Sequence, residues 1–280
     1  MISAHTRALA ILGDPIEHSI TPRIQNVALQ AIGADLVNLA FRVAPQNLET
    51  AVRGAQNLGF LGLMITIPHK EAVLSLCDEL HPSARVMGAA NLLQFRADGQ
   101  IIGHSSDGWA AIKSLEEEGV SVKNKNVAVL GGGGAARSLA LTFALEGAAH
   151  VVILNRTVSR AQLIAEEVEK LGVRASSGEI SAKNLRDCEV LVNATSVGMT
   201  PQIEATPLEK PLLRPEMAVY DIVYNPLETR LLREARKIGA QAVDGLGMLI
   251  HTNVYAVQVC AGLEISAATM RAEALRALRI

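Results

Sequence analysis

Cysteine is scarce and unpaired in this chain. Cys77, Cys188 and Cys260 lie far apart with no C-x-x-C spacing, which argues against a disulfide framework and a thiolate zinc site and suits a reducing compartment. An excess of one charge is also missing. Twenty-six Lys and Arg face 28 Asp and Glu, for a net charge of -2, so there is no electrostatic case for a nucleic-acid or anionic-membrane partner. No apolar run is long enough to span a bilayer. The opening residues Met1-Ile-Ser-Ala-His-Thr-Arg7 lack the charged start and apolar stretch of a secretory signal. Internal repeats and low-complexity tracts are absent. The expectation is a soluble cytoplasmic protein. Apolar residues, by contrast, are plentiful, at 49% against 19% charged. That is enough for a large core, and 280 residues suggest about two domains.

The chain is organised around Val127-Ala-Val-Leu-Gly-Gly-Gly-Gly-Ala-Ala-Arg-Ser138. Four apolar residues run into four glycines, and a helical pattern follows from Ala135 to Gly147. Gly131, Gly133 and Ala136 sit at G-x-G-x-x-A spacing. The first glycine permits a sharp turn, the second lets backbone approach a pyrophosphate, and the small third residue lets helix pack on strand. The free N–H groups at the helix start then face the phosphates. A flexible linker is the bland alternative, but strand and helix flank the run correctly. Enzymes that use NAD usually place Asp or Glu at the end of the next strand, about 20 residues on, to bind the ribose hydroxyl. Here that position reads Asn155-Arg-Thr157. Arg156, with Arg160 one helical turn on, suits a 2′-phosphate instead, so NADP is the expected cofactor.

Before the glycines, strands and helices alternate. Strands are expected at Ala8–Leu12, Leu36–Val43 and Gly62–Ile67, and a hairpin at Asn91–Phe95 and Gln100–Gly103. Helices are expected from Pro22 to about Ile32, over Leu48–Leu58, and from Pro68 to about Leu80. After the junction helix Asp107–Glu118 come strands Val151–Leu154, Glu189–Val192 and Ala218–Val223, helices Ser159–Leu171 and Glu228–Ile238, and a short strand near Ala242. One long helix runs over Leu246–Leu263. A last helix, Ala267–Leu278, is expected to pack back on the first domain. The fold class is α/β: an N-terminal α/β substrate domain with a mostly parallel sheet (1–106, plus 264–280) and a C-terminal Rossmann dinucleotide-binding domain (107–263), with a cleft between.

A dehydrogenase acting on an alcohol needs a group that exchanges the hydroxyl proton while hydride moves. Lys70, in Thr66-Ile-Pro-His-Lys70, and Asp107, in Ile102-Gly-His-Ser-Ser-Asp107, each follow a predicted strand, where open α/β sheets put ligand sites. On pattern alone the plainer readings are a solvated helix residue for Lys70 and a helix cap for Asp107. His18, His69 and His104 share no zinc-like spacing and read as solvated or structural, so no metal is expected.

The whole chain resembles the shikimate dehydrogenase family, in order and spacing. Gly13-Asp-Pro-Ile-Glu-His-Ser-Ile-Thr-Pro22 is similar to its substrate loop, Thr66–Lys70 to its catalytic-lysine motif, and Gly88-Ala-Ala-Asn91 and Ser106-Asp107 to its substrate Asn and catalytic Asp motifs. Gly131–Arg137, Asn155–Thr157, Asn193-Ala-Thr-Ser-Val-Gly-Met199, Tyr224-Asn-Pro226 and Gly245-Leu-Gly-Met-Leu249 are similar to its cofactor-domain motifs. The resemblance implies an NADP-dependent oxidoreductase that interconverts a cyclic secondary alcohol and its ketone, nearest to shikimate and 3-dehydroshikimate, in the shikimate pathway toward aromatic amino acids. It implies Lys70 and Asp107 as the catalytic pair. Ser19 and Thr21 would hold a carboxylate, Thr66 and Asn91 ring hydroxyls, and Tyr224 would line the cleft. Gly131, Gly133, Gly134, Ala135, Ala136, Asn155, Arg156, Thr157, Arg160, Asn193, Thr195, Met199, Gly245 and Met248 would bind the cofactor, with Gly245 near the nicotinamide.

Some substrate positions depart from the family's pattern. Met64, Ser105 and Thr252 stand where side-chain amides are usual, Thr21 where Ser is, and Gln25 where His is. Met64 offers no strong hydrogen-bond group, and pocket hydrogen bonds discriminate strongly between substrates. Quinate, an aminoshikimate or a less hydroxylated cyclic acid are therefore alternative substrates. A catalytically idle NADP-binding regulator is a further alternative, against which stand Lys70 and Asp107 together. The expected partner is a small cyclic hydroxy-carboxylate, and the chain is a monomer or homodimer.

Overall fold

The computed structural model describes residues 2–278. The chain divides into two compact units. One holds the chain up to Ser106 and from Leu249 onward, and the other holds Asp107–Met248.

In the first unit the order is β1 (Arg7–Gly13), α1 (Thr21–Ala31), β2 (Leu36–Arg42), α2 (Leu48–Asn57), β3 (Gly62–Ile65), β4 (Glu79–Leu80), α3 (Pro82–Met87), β5 (Leu92–Phe95) and β6 (Ile101–His104). These strands form one sheet in the order β2-β1-β3-β5-β6-β4. Its pairs are parallel except β3–β5 and β5–β6. The two-residue alternation of a strand sorts the core. Ala10, Leu12, Leu63, Ile65 and Leu93 pack with Leu48 and Val52 of α2. Their neighbours Ile11, Met64 and Leu92 point the other way and pack with Ala256.

The second unit runs α4 (Asp107–Glu117), β7 (Asn126–Leu130), α5 (Gly134–Leu145), β8 (His150–Leu154), α6 (Val158–Lys170), β9 (Arg174–Gly178), α7 (Ala182–Leu185), β10 (Val190–Asn193), β11 (Ala218–Asp221), α8 (Arg230–Lys237) and β12 (Gln241–Val243). Its six strands are all parallel, in the order β12-β11-β10-β7-β8-β9. This is the doubly wound dinucleotide-binding arrangement, with the strand order reversing between β7 and β10. Val127–Leu130, Val151–Leu154 and Val190–Asn193 are buried throughout, as strands covered on both faces must be. Gly108 lets α4 close on α5, because a Cβ there would overlap the Thr142 side chain. The chain then continues into α9 (Leu246–Ala261) and α10 (Ala267–Leu278).

Three differences from the sequence expectation stand out. No long helix follows Pro68. A turn (His69 N–H to the Thr66 carbonyl, 3.0 Å) leads to a 3-10 segment, Ala72–Leu76, and then to β4. Asp78 pairs with Ile101 through backbone and carboxylate, so tertiary strand pairing outweighs local helix preference, and Pro82 starts α3 anew. The edge strand β9 has the sequence Arg-Ala-Ser-Ser-Gly, too polar to announce itself. Finally, the contact division falls inside α9. Residues 249–263, expected in the cofactor domain, belong to the first unit, where α9 supplies Ala256 to the core. The last helix packs on α1 of that unit, with Glu273 bonded to Arg23 at 2.6 Å.

Candidate active site

One edge of the first sheet collects the polar residues. β1 and β3 are parallel neighbours, so the loops after Gly13 and after Ile65 leave the same edge. Met64 pairs with Leu92, and Leu92 with His104, so Asn91 precedes β5, and Ser105 follows β6, at that edge too. Ser19, Thr21, Thr66, Lys70, Asn91 and Ser105 therefore emerge together. The edge is stitched by backbone bonds: Asp14 N–H to the Ile67 carbonyl (3.0 Å), Ala90 N–H to the Lys70 carbonyl (2.8 Å) and Asn91 N–H to the His104 carbonyl (2.9 Å). Asn91 also brackets Ser106. Its Nδ2 donates to the Ser106 hydroxyl at 3.0 Å, and its Oδ1 accepts the Ser106 N–H at 2.8 Å. That clasp fixes the chain just before Asp107, which opens α4. Thr21 is buried, whereas Ser19, Thr66 and Lys70 are half-buried.

Behind this edge lies a buried amide network that the sequence does not reveal. Asn38 Nδ2 donates to Gln25 Oε1, and Gln25 Nε2 donates to the Asn253 carbonyl at 3.3 Å. Both amides also aim an N–H at the Met64 sulfur, each at 3.9 Å. The Thr252 hydroxyl donates to the Leu249 carbonyl at 2.8 Å, which commits its proton to its own helix. Ser105 is buried, and its N–H donates to the Ser83 hydroxyl at 3.1 Å. The histidines have structural settings or solvent. His69 is buried with Nε2 2.7 Å from the Val43 carbonyl, and His18 is exposed. His104 stacks on His81 and has Nδ1 3.2 Å from the Tyr255 hydroxyl. Burial, then the charge of His81, pushes the His104 pKa down to about 4.

The second unit presents its own edge, at the C-terminal ends of parallel strands. Gly131, Asn155, Thr195, Tyr224 and Gly245 follow β7, β8, β10, β11 and β12, and Asn193 ends β10. Gly131 has φ +130°, and a Cβ there would sit 3.2 Å from the Ala194 carbonyl and 3.3 Å from Thr195 Cγ2. It therefore closes the gap between β7 and β10, where the strand order reverses. Helix α5 starts after Gly133 with no side-chain cap, and a Cβ at Gly133 or Gly134 would meet open space. Uncapped helix N–H groups beside bare glycine form a cradle that fits a diphosphate. Arg156, Thr157 and Arg160 are exposed beside it, Ala135 is half-buried, and Ala136 is buried against the strand. Asn155 is held by its N–H to the Gly178 carbonyl and its Nδ2 to the Thr157 carbonyl, both 3.0 Å. Met199 is exposed and Met248 half-buried. Gly245 has a packing reason of its own, since a Cβ would overlap the Ile222 carbonyl. Burial raises the Tyr224 hydroxyl above its usual range.

A model of the shikimate dehydrogenase substrate-binding domain matches residues 11–93. A model of shikimate / quinate 5-dehydrogenase matches residues 113–227. The chain belongs to the shikimate dehydrogenase family. A family relative from Methanopyrus kandleri, named shikimate dehydrogenase (NADP(+)), is 43% identical and covers 99% of this chain and 98% of its own. Among solved structures, a shikimate dehydrogenase in complex with NADP+ superposes with a TM-score of 0.93 at 37% identity, covering 99% and 98% of the two chains. A ligand-free 5-ketofructose reductase of Gluconobacter sp. strain CHM43 gives 0.92 at 32% identity, covering 98% and 100%. Among the described residues no helix is long and apolar enough to cross a membrane.

Proposed function

We propose that this protein is an NADP-dependent oxidoreductase that interconverts a cyclic secondary alcohol and its ketone, with shikimate and 3-dehydroshikimate as the nearest pair. The observation that carries the reading is a sheet edge bearing Thr66, Lys70 and Asn91, in a chain 43% identical to a relative named for that reaction. When bound, NADP supplies the hydride acceptor or donor. The chain's own residues do the rest. Lys70 exchanges the proton of the reacting hydroxyl through Nζ. Asp107 is the second catalytic group, a carboxylate that orients the reacting hydroxyl. Ser19 and Thr21 bond the substrate carboxylate, and Thr66 and Asn91 bond ring hydroxyls. Arg156 and Arg160 hold the 2′-phosphate, with no carboxylate at Asn155 to repel it.

Two observations bear on the ring itself. The Met64 sulfur faces buried amides and the Thr252 proton is committed to Leu249. Quinate, an aminoshikimate and a less hydroxylated acid therefore belong in the assay panel. So does 5-ketofructose, given the second structural relative. The working protein is a cytoplasmic monomer or homodimer.

The test follows NADPH absorbance with this panel. Lys70→Ala is expected to lower kcat by on the order of 10²–10⁴ while leaving NADPH binding intact, because proton transfer is lost and the nucleotide site is untouched. Unchanged turnover in that variant would remove Lys70 from the mechanism. A wild-type protein that binds NADPH and turns over no member of the panel would favour a regulatory NADP-binding role.

A further inference from the structure

Asp221 ends β11 with a carboxylate that is fully buried. Among the described residues it forms no ion pair; three neutral donors converge on it instead. Asn193 Nδ2 and Val223 N–H donate to Oδ1 at 2.9 and 3.1 Å, and the Thr229 hydroxyl donates to Oδ2 at 2.7 Å. Two of the donors, Asn193 and Thr229, make further bonds of their own. Asn193 Oδ1 accepts the Thr195 N–H (3.0 Å) and hydroxyl (2.7 Å), and the Thr195 oxygen accepts the Val197 N–H at 3.1 Å. Thr229 caps α8 by accepting the Leu232 N–H at 3.3 Å. Gly198 ends this loop at φ +95°, a conformation that favours glycine, and lies beside Thr229.

We propose that Asp221 is a positioning residue for the cofactor: an acceptor-only anchor that gives the Asn193–Gly198 loop the shape the dinucleotide requires. This rests on the NADP reading above. A carboxylate accepts all three bonds as the chain stands. An amide in its place can keep Asn193 Nδ2 and Val223 N–H on its oxygen, but its N–H₂ then faces the Thr229 oxygen, so the Thr229 hydroxyl, which already accepts the Leu232 N–H, loses the acceptor for its own proton. Burial raises the Asp221 pKa to about 6 against the pull of the three donors, so the anchor is ionised at neutral pH. A buried charge without an opposite charge persists only where such donors surround it.

The test compares wild type with Asp221→Asn, Thr229→Val and Thr229→Ser. It measures NADPH binding by fluorescence titration, KM for NADP+, KM for shikimate, kcat and the ligand-free unfolding midpoint. Hydrogen bonds to charged groups are strong enough that Asp221→Asn is expected to weaken NADPH binding and raise KM for NADP+ about tenfold or more. The shikimate KM and kcat should stay within about threefold. Thr229→Val moves the same parameter in the same direction, and Thr229→Ser restores it. A lowered midpoint with NADPH affinity unchanged would make Asp221 merely structural and overturn the proposal. Should Asp221→Asn not fold, Thr229→Val with wild-type NADPH affinity overturns it equally. Wild-type protein that binds no NADPH sinks the cofactor reading itself, and the anchor with it.

Discussion

Gly132 shows how little room surrounds the phosphate turn. The dinucleotide fingerprint names its neighbours Gly131 and Gly133, yet Gly132 is where a side chain collides with protein. A Cβ there would lie 2.7 Å from Asn155 Nδ2 and 3.0 Å from Arg160 Cβ. Those two residues stand beside Arg156, so the bond from Asn155 Nδ2 to the Thr157 carbonyl and the reach of Arg160 both depend on a missing methyl group. Crowding of this kind typically costs about 1–3 kcal/mol. Part of that cost appears as displaced side chains rather than lost stability. Gly132→Ala is therefore expected to raise KM for NADP+ about tenfold while shikimate KM stays put. Steady-state kinetics with each substrate varied in turn decides it. An unchanged NADP+ KM would mean that Asn155 and Arg160 move aside at no cost to the cofactor.

Among the elements, those with a buried run or a clear amphipathic period were legible in the sequence, and those held by remote partners were not. The strands from Val127, Val151 and Val190 are buried end to end, and the glycine turn sits where strand meets helix. β4 was invisible because two residues, Glu79 and Leu80, become a strand only by pairing with β6. The division inside α9 escaped for a related reason, since an unbroken helical pattern carries no mark of which sheet it packs on. Among the candidate functional residues, Lys70, Asn91 and Arg156 stand out by motif. Asp221 does not, because Asp-Ile-Val-Tyr looks like an ordinary strand end and its donors come from positions 193 and 229. The loop after β8 offers its own test. Arg156 is exposed, so Arg156→Ala should leave the fold intact and remove only the charge facing the 2′-phosphate. A charge-assisted phosphate contact of about 1.5–3 kcal/mol corresponds to a rise of roughly 10- to 100-fold in KM for NADP+, with KM for NAD+ unaltered. Equal effects on both dinucleotides would assign Arg156 to adenine stacking instead.

On the scale of the whole molecule, two buried groups, one in each unit, respond to acid in opposite directions. His104 belongs to the first, with a pKa pushed down to about 4 by burial, then by His81 and Arg96. Unfolded, it titrates near 6.5. As pH falls through 6.5 the unfolded chain takes up a proton that the folded unit refuses. Stability drops until about pH 4, by about 1–2 kcal/mol between pH 7 and 5. Asp221 belongs to the second unit, with its pKa raised to about 6 by burial. Between about pH 6 and 4 its folded form takes the proton first, so this unit gains about 1 kcal/mol over the same interval. Calorimetry at pH 7 and pH 5, with hydrogen exchange to assign the transitions, should show the first unit's midpoint falling relative to the second's by a few degrees. His104→Gln keeps a polar group beside Tyr255 and Gln94 and should flatten the first unit's pH response. Asp221→Asn should flatten the second's. If the wild-type transitions shift together and His104→Gln leaves the pH dependence as it was, the acid sensitivity of the first unit lies in groups other than this histidine.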